Sequence, residues 1–193
     1  RDLHSPSRLQ RLMCIRDRSY RVFIMPTYKG KLAALNNPDK YTGDVKNITY
    51  RSMWERNVMK WCDDNPEVLE WASEEIAIPY VHPVTGKRAR YYPDFYIKFK
   101  DGVIKVVEVK PKKETVAPAS PTRKSKKWIE ETARFAINAE KWKNAQIACS
   151  KNGLRFEIWT EETLQKMGIL KWEAEKSQLL AERRLPVSYT HLR

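Results

Sequence analysis

The run Val106-Val107-Glu108-Val109-Lys110, stopped by Pro111, constrains this chain more than any other stretch. β-Branched residues suit a packed, pleated strand, and Pro111 lacks the N–H needed to continue one. A strand this apolar belongs near the centre of a sheet, yet two charged residues interrupt it. Glu108 and Lys110 are two apart, so they share a face about 7 Å apart along the strand. Desolvating both without partners is costly. The fold must therefore compensate them, with a structural ion pair or with a site built for charge.

A third charged residue falls in the preceding apolar stretch, Tyr91-Tyr92-Pro93-Asp94-Phe95. Whether Asp94 joins Glu108 depends on the turn between the strands. With two residues in the turn, Asp94 lies opposite Val109 and faces away. With three, Lys100-Asp101-Gly102 and a left-handed Gly102, Asp94 faces Glu108. The chemistry below requires the three-residue turn or a bulge.

Around this hairpin the chain predicts α-β-β-β-α-β-α. Trp54, Val58, Trp61 and Cys62 have helical spacing, and Asn65-Pro66 stops that helix. Strands follow at about 71–81, 88–99 and 103–110, forming an antiparallel meander. The segment up to Pro121 is a loop. A long helix over 126–150 carries Trp128, Phe135, Trp142, Ala145 and Cys149, with tryptophans placed for packing, and ends near Asn152-Gly153. A fourth strand spans Leu154 to Trp159, and a short helix runs from Thr160 to Gly168. A parallel fourth strand gives an α/β fold, a mixed four-stranded sheet with flanking helices. Residues 19–48 read as an extended basic arm, 49–170 as the domain and 171–185 as a C-terminal helical tail.

Two carboxylates as close as Asp94 and Glu108 repel, and a hard divalent cation accepting both relieves them. Oxygen ligands suit Mg²⁺ or Mn²⁺, and zinc would want His or Cys. Lys110 could hold an attacking water and steady charge growing on a phosphate. Glu55 is a further candidate from the first helix. It also fits a capping box, Ser52-Met53-Trp54-Glu55, in which it serves only its own helix.

Both ends of the chain need separate treatment before its charge is used. Met13 to Arg18 (MCIRDR) and Val187 to Leu192 (VSYTHL) look like translations of opposite strands of one string found in transposase-based sequencing adapters. Residues 1–18 and 186–193 are accordingly expected to be adapter-derived. The formal charge is +13; removing five Arg and two Asp at the start and Arg193 at the end leaves +9. That excess favours a polyanionic partner, nucleic acid before membrane. Trimming leaves His82, Cys62 and Cys149, too few for a zinc site or a histidine pair, and the thiols are expected reduced. Neither a membrane span nor a secretory leader is apparent, so a soluble, intracellular protein without a small-molecule cofactor is expected.

Pro93-Asp94 followed by Glu108-Val109-Lys110, within this order of elements, resembles the PD-(D/E)XK nuclease superfamily. The surrounding residues narrow the resemblance. Tyr50 to Glu55 (YRSMWE), Asn65-Pro66-Glu67, Ile78-Pro79-Tyr80, Glu108 to Thr115 (EVKPKKET), Lys141-Trp142-Lys143 and Thr160-Glu161 are together similar to the head-completion nucleases of T-even-type tailed phages. A more distant similarity is to the endonuclease subunits of heteromeric transposases. The likeness runs from about Tyr41 to Gly168.

The resemblance implies a metal-dependent DNA endonuclease of virion assembly, found in the virion or the cytoplasm of an infected bacterial host, with phage head or portal proteins as further partners. It implies Glu55, Asp94, Glu108 and Lys110 as the catalytic set. Metal would be held by Asp94, Glu108, Glu55 and the Val109 carbonyl. Lys87, Arg88 and Arg90 before the active strands, and Lys112, Lys113, Arg123, Lys124, Lys126 and Lys127 after them, are expected to contact DNA phosphates. The competing expectation is a non-catalytic head protein that binds DNA ends or the portal and uses its carboxylates as an ion-pair network.

Overall fold

A computed structural model describes residues 29–170; the two expected adapter segments and the 171–185 tail lie outside the described residues. Among the described residues there are eight strands and three α-helices: β1 (Gly30–Lys31), β2 (Thr49–Tyr50), α1 (Met53–Asp64), β3 (Val68–Ser73), β4 (Ile78–Val81), β5 (Arg88–Tyr91), β6 (Phe95–Phe99), β7 (Ile104–Val109), α2 (Lys126–Lys151), β8 (Arg155–Trp159) and α3 (Glu161–Lys166).

The main sheet has the order β3-β6-β7-β8, antiparallel except for the parallel pair β7-β8. This is the expected mixed α/β architecture. Alternation along the two central strands sorts their side chains. Phe95, Ile97, Val107 and Val109 join Val58, Met59 and Cys62 of α1, Trp159 and Leu164 in the main core. Val106, Glu108 and Lys110 therefore face the other side, towards α2. There a smaller core forms from Ile78, Tyr80, Tyr91 and Ala145, with Trp142 and Phe156 packed against it. Each fully buried aliphatic or aromatic side chain contributes about 1.5–3 kcal/mol, so both faces of β7 are held firmly. Cys62 and Cys149 are free and buried.

The turn between β6 and β7 has three residues. Phe95 pairs with Val107 and Lys98 with Ile104, the Phe99 N–H reaches the Val103 carbonyl, and Gly102 takes φ +83°. Extending this register by one residue sets Asp94 opposite Glu108.

Two expectations need correction. The segments 71–81 and 88–99 are not single strands of one meander. Each divides, and the inner halves β4 and β5 pair in a hairpin outside the main sheet. The first division falls at Glu74, whose φ of +57° turns the chain out of the strand. The second falls at buried Pro93, which has no N–H for a ladder. Residues 29–48 are also no free arm. Tyr41 packs edge-on against Trp71 with ring centroids 4.7 Å apart, and Ile48 is in the main core. Buried Asp63 accepts the Asn36 and Asn37 N–H groups at 2.6 and 2.9 Å. Lys40 Nζ binds the carbonyls of Asp63 and Asn65 at the end of α1, 2.9 Å from each, where a cation complements the helix dipole.

Candidate active site

The N-terminus of α1, the chain leaving β3, the base of the β4-β5 hairpin, the end of β7 and the middle of α2 enclose a cavity of about 580 Å³. Four acids line it, Glu55, Glu74, Asp94 and Glu108, and four cations, Arg51, Arg90, Lys110 and Lys141; Tyr91 and Tyr92 complete the wall. Cavities of about 400 and 770 Å³ lie elsewhere, but neither holds more than two acids. Chemistry, not size, singles out this one.

The four residues expected at the centre all meet here. Glu108 is 5 % exposed, and both its oxygens are engaged. Oε2 accepts from the Tyr91 hydroxyl at 2.7 Å, while Oε1 is 3.1 Å from Lys110 Nζ. Asp94 Oδ2 accepts the Val109 N–H at 2.7 Å. Val109, expected to offer its carbonyl, thus orients Asp94 through its N–H. Burial, reinforced by the charge of Glu108, pushes the Asp94 carboxyl well above the usual carboxylate range, against the pull of Lys110 and the Val109 N–H. Burial alone would lower the Lys110 ammonium, but Glu108 and Asp94 outweigh it and hold its pKa above the ordinary lysine value.

Glu55 serves two structures at once. It accepts from the Arg51 N–H at 2.7 Å and the Ser52 hydroxyl at 2.9 Å, and its own N–H donates to Ser52 Oγ at 3.1 Å. That is the capping arrangement. Its carboxylate nevertheless lines the cavity and bears on the charge of Asp94.

Among the described residues no three His, Cys, Asp or Glu side chains are grouped closely enough to hold a metal ion. Glu55 is on its cap, which leaves Asp94 and Glu108 as a two-carboxylate set. The donor chemistry of that pair still fits a hard divalent cation. Both carboxylates offer oxygen donors, Glu108 is buried and Asp94 half-buried beside it, and their mutual repulsion is what such an ion removes.

Of the nine residues expected to contact phosphate, only Arg90 lines this cavity. Lys87 and Arg88 are exposed on the hairpin. Lys112 is engaged by Glu162 at 2.6 Å, and Lys113 lines the 400 Å³ cavity between the β7-α2 loop and α2. Arg123, Lys124, Lys126 and Lys127 are exposed around the start of α2, where Lys124 Nζ lies 5.4 Å from the Trp128 ring centre. Arg51, Glu74, Tyr91, Tyr92 and Lys141 belong to the cavity without having been assigned roles from sequence. For Lys141 a signal existed. It is one turn before Ala145 on the inward face of α2, an unusual place for a charge.

The sequence model described as TnsA-like endonuclease N terminal matches residues 65–161, from the end of α1 into α3. The head completion nuclease of Enterobacteria phage T4 is 41% identical over 145 residues, an alignment that covers 73% of this chain and 96% of the relative. The family match contains Asp94, Glu108 and Lys110, and together with this identity along most of the chain it makes the protein a member of the TnsA-like endonuclease family.

Proposed function

We propose that this protein is a divalent-metal-dependent DNA endonuclease that works in phage head completion, with Asp94, Glu108, Lys110 and Glu55 as its catalytic set. The convergence of these four on one cavity carries the reading. Asp94 and Glu108 would hold the ion, with Glu55 and the Val109 carbonyl as further oxygen donors. Bound there, Mg²⁺ or Mn²⁺ would acidify water and screen phosphate charge. Lys110, 3.1 Å from Glu108, would act as a hydrogen-bond donor to the attacking water. Exposed Lys87, Arg88, Arg123, Lys124, Lys126 and Lys127, with Arg90 at the cavity, supply phosphate contacts. Head or portal proteins are proposed partners, and the virion or infected host cell the place of action. No helix among the described residues is long and apolar enough to cross a membrane.

The Glu108–Lys110 ion pair and the capped Glu55 also suit a head protein that binds DNA ends or the portal without cutting. Nicking of supercoiled plasmid with Mg²⁺ separates the two. Cleavage by the wild type, lost in Asp94→Ala and Lys110→Ala, is expected; full DNA binding with no metal-dependent cleavage would establish the non-catalytic protein instead.

A further inference from the structure

We infer that Lys141 is a second active-site lysine, a cation that with Arg90 meets the phosphate of the bound strand while Lys110 stays with its carboxylates. This inference rests on the endonuclease reading above.

Lys110 Nζ is 3.1 Å from buried Glu108 Oε1. Arg51 is similarly occupied, 2.9 Å from Glu74. No carboxylate among the described residues pairs with Lys141. Its Nζ instead lies 5.7 Å from the Tyr91 ring centre and 5.8 Å from that of Tyr80. Two buried rings thus steer an ammonium without neutralising it, since the attraction of a ring face is weaker than that of an anion. Tyr91 is the residue that also donates to Glu108, so Lys141 and the carboxylate are set from opposite parts of one side chain. Lys141 lines the same cavity as Asp94 and Glu108. A half-buried, oriented and unneutralised cation facing an acid-rich site is suited to a substrate with phosphate negative charge.

A purely structural cation–π tie between α2 and the hairpin is the competing role, and Lys141→Met separates them because it keeps the unbranched stem. Wild type, Lys141→Met and Lys141→Arg are compared in thermal melts, in single-turnover nicking of supercoiled plasmid with Mg²⁺, and in metal-free plasmid binding across a salt series. Lys141→Met is expected to melt like the wild type, nick roughly 100-fold more slowly and bind with a salt slope smaller by about one. Lys141→Arg is expected to recover most of the rate. A Lys141→Met rate within roughly threefold of wild type, or a loss of rate matched by lost stability and not recovered by Lys141→Arg, overturns the inference. Should the wild type itself fail to nick, the endonuclease reading falls. The metal-free salt slope then still decides whether Lys141 meets phosphate, and an unchanged slope would reject it.

Discussion

The Tyr91 hydroxyl donates to Glu108 Oε2 across 2.7 Å, joining the base of the β4-β5 hairpin to the central strand of the main sheet. Burial first, and then the charge of Glu108, drive the phenol pKa far upward, so Tyr91 is a hydrogen-bond donor at neutral pH. Tyr91→Phe keeps the ring and removes only this bond. The expected result is a loss of about 1 kcal/mol in stability and a roughly tenfold slower nicking rate, because Glu108 is then oriented by Lys110 alone. Melts and single-turnover nicking check the two effects.

Asp94→Asn should abolish cleavage and yet stabilise the metal-free protein near neutral pH. The folded-state pKa of Asp94 is raised, chiefly by burial and then by Glu108. Its contribution to stability is therefore fully present below the unfolded pKa of about 3.9 and disappears as pH rises through the higher folded value. Asn removes that slope, and every tenfold weakening of the acid on folding corresponds to about 1.4 kcal/mol. Melting temperature against pH in EDTA tests this; a variant less stable than wild type at neutral pH would contradict it. Adding Mg²⁺ should raise the melting temperature of the wild type but not of the variant.

Glu55 can be divided into its two roles. Gln at this position preserves a capping box, so Glu55→Gln should stay within about 0.5 kcal/mol of wild-type stability while losing most cleavage. Glu55→Ala should lose cleavage and about 1 kcal/mol as well. Denaturant melts beside a nicking assay distinguish them, and full activity in Glu55→Gln would leave the residue a cap and nothing more.

The basic surface should be unequal in its contribution to DNA binding. Lys112 is tied to Glu162 at 2.6 Å, whereas Lys124 and Lys126 face solvent without an acid partner among the described residues. Neutralising Lys124, Lys126 and Lys127 together should lower the salt slope of binding by roughly 0.9 for each phosphate that is no longer neutralised. Lys112→Ala should change it less. Equal effects per residue would remove the distinction.

The centre of the site was legible because a strand's period of two is rigid. With β7 marked by its valines, Glu108 and Lys110 had to share a face, whereas Asp94 joined them only on condition of a three-residue turn or a bulge at Lys100 to Gly102, which the structure supplies. The two longer helices were legible from apolar spacing closed by Asn65 and by Asn152-Gly153. The hairpin was not, because alternation continues through the departure point at Glu74 and the return at Pro93. Nor was the packing of residues 29–48, which relies on Asp63, a distant carboxylate accepting two backbone N–H groups, rather than on an apolar period. Lys141 escaped for a related reason: its neighbours Tyr80 and Tyr91 come from the hairpin that the sequence did not separate from the sheet.

The Glu74 N–H donates to the Asp94 carbonyl at 3.2 Å, so the chain leaves the sheet and returns to it through one narrow neck. A candidate catalytic acid stands at that neck, and the far tip, His82 to Lys87, is closed by its own backbone bonds of 2.8 and 2.9 Å. Lengthening such a tip adds closure entropy only slowly. The tip can therefore be lengthened or recharged while the sheet that holds Asp94 and Glu108 stays unchanged.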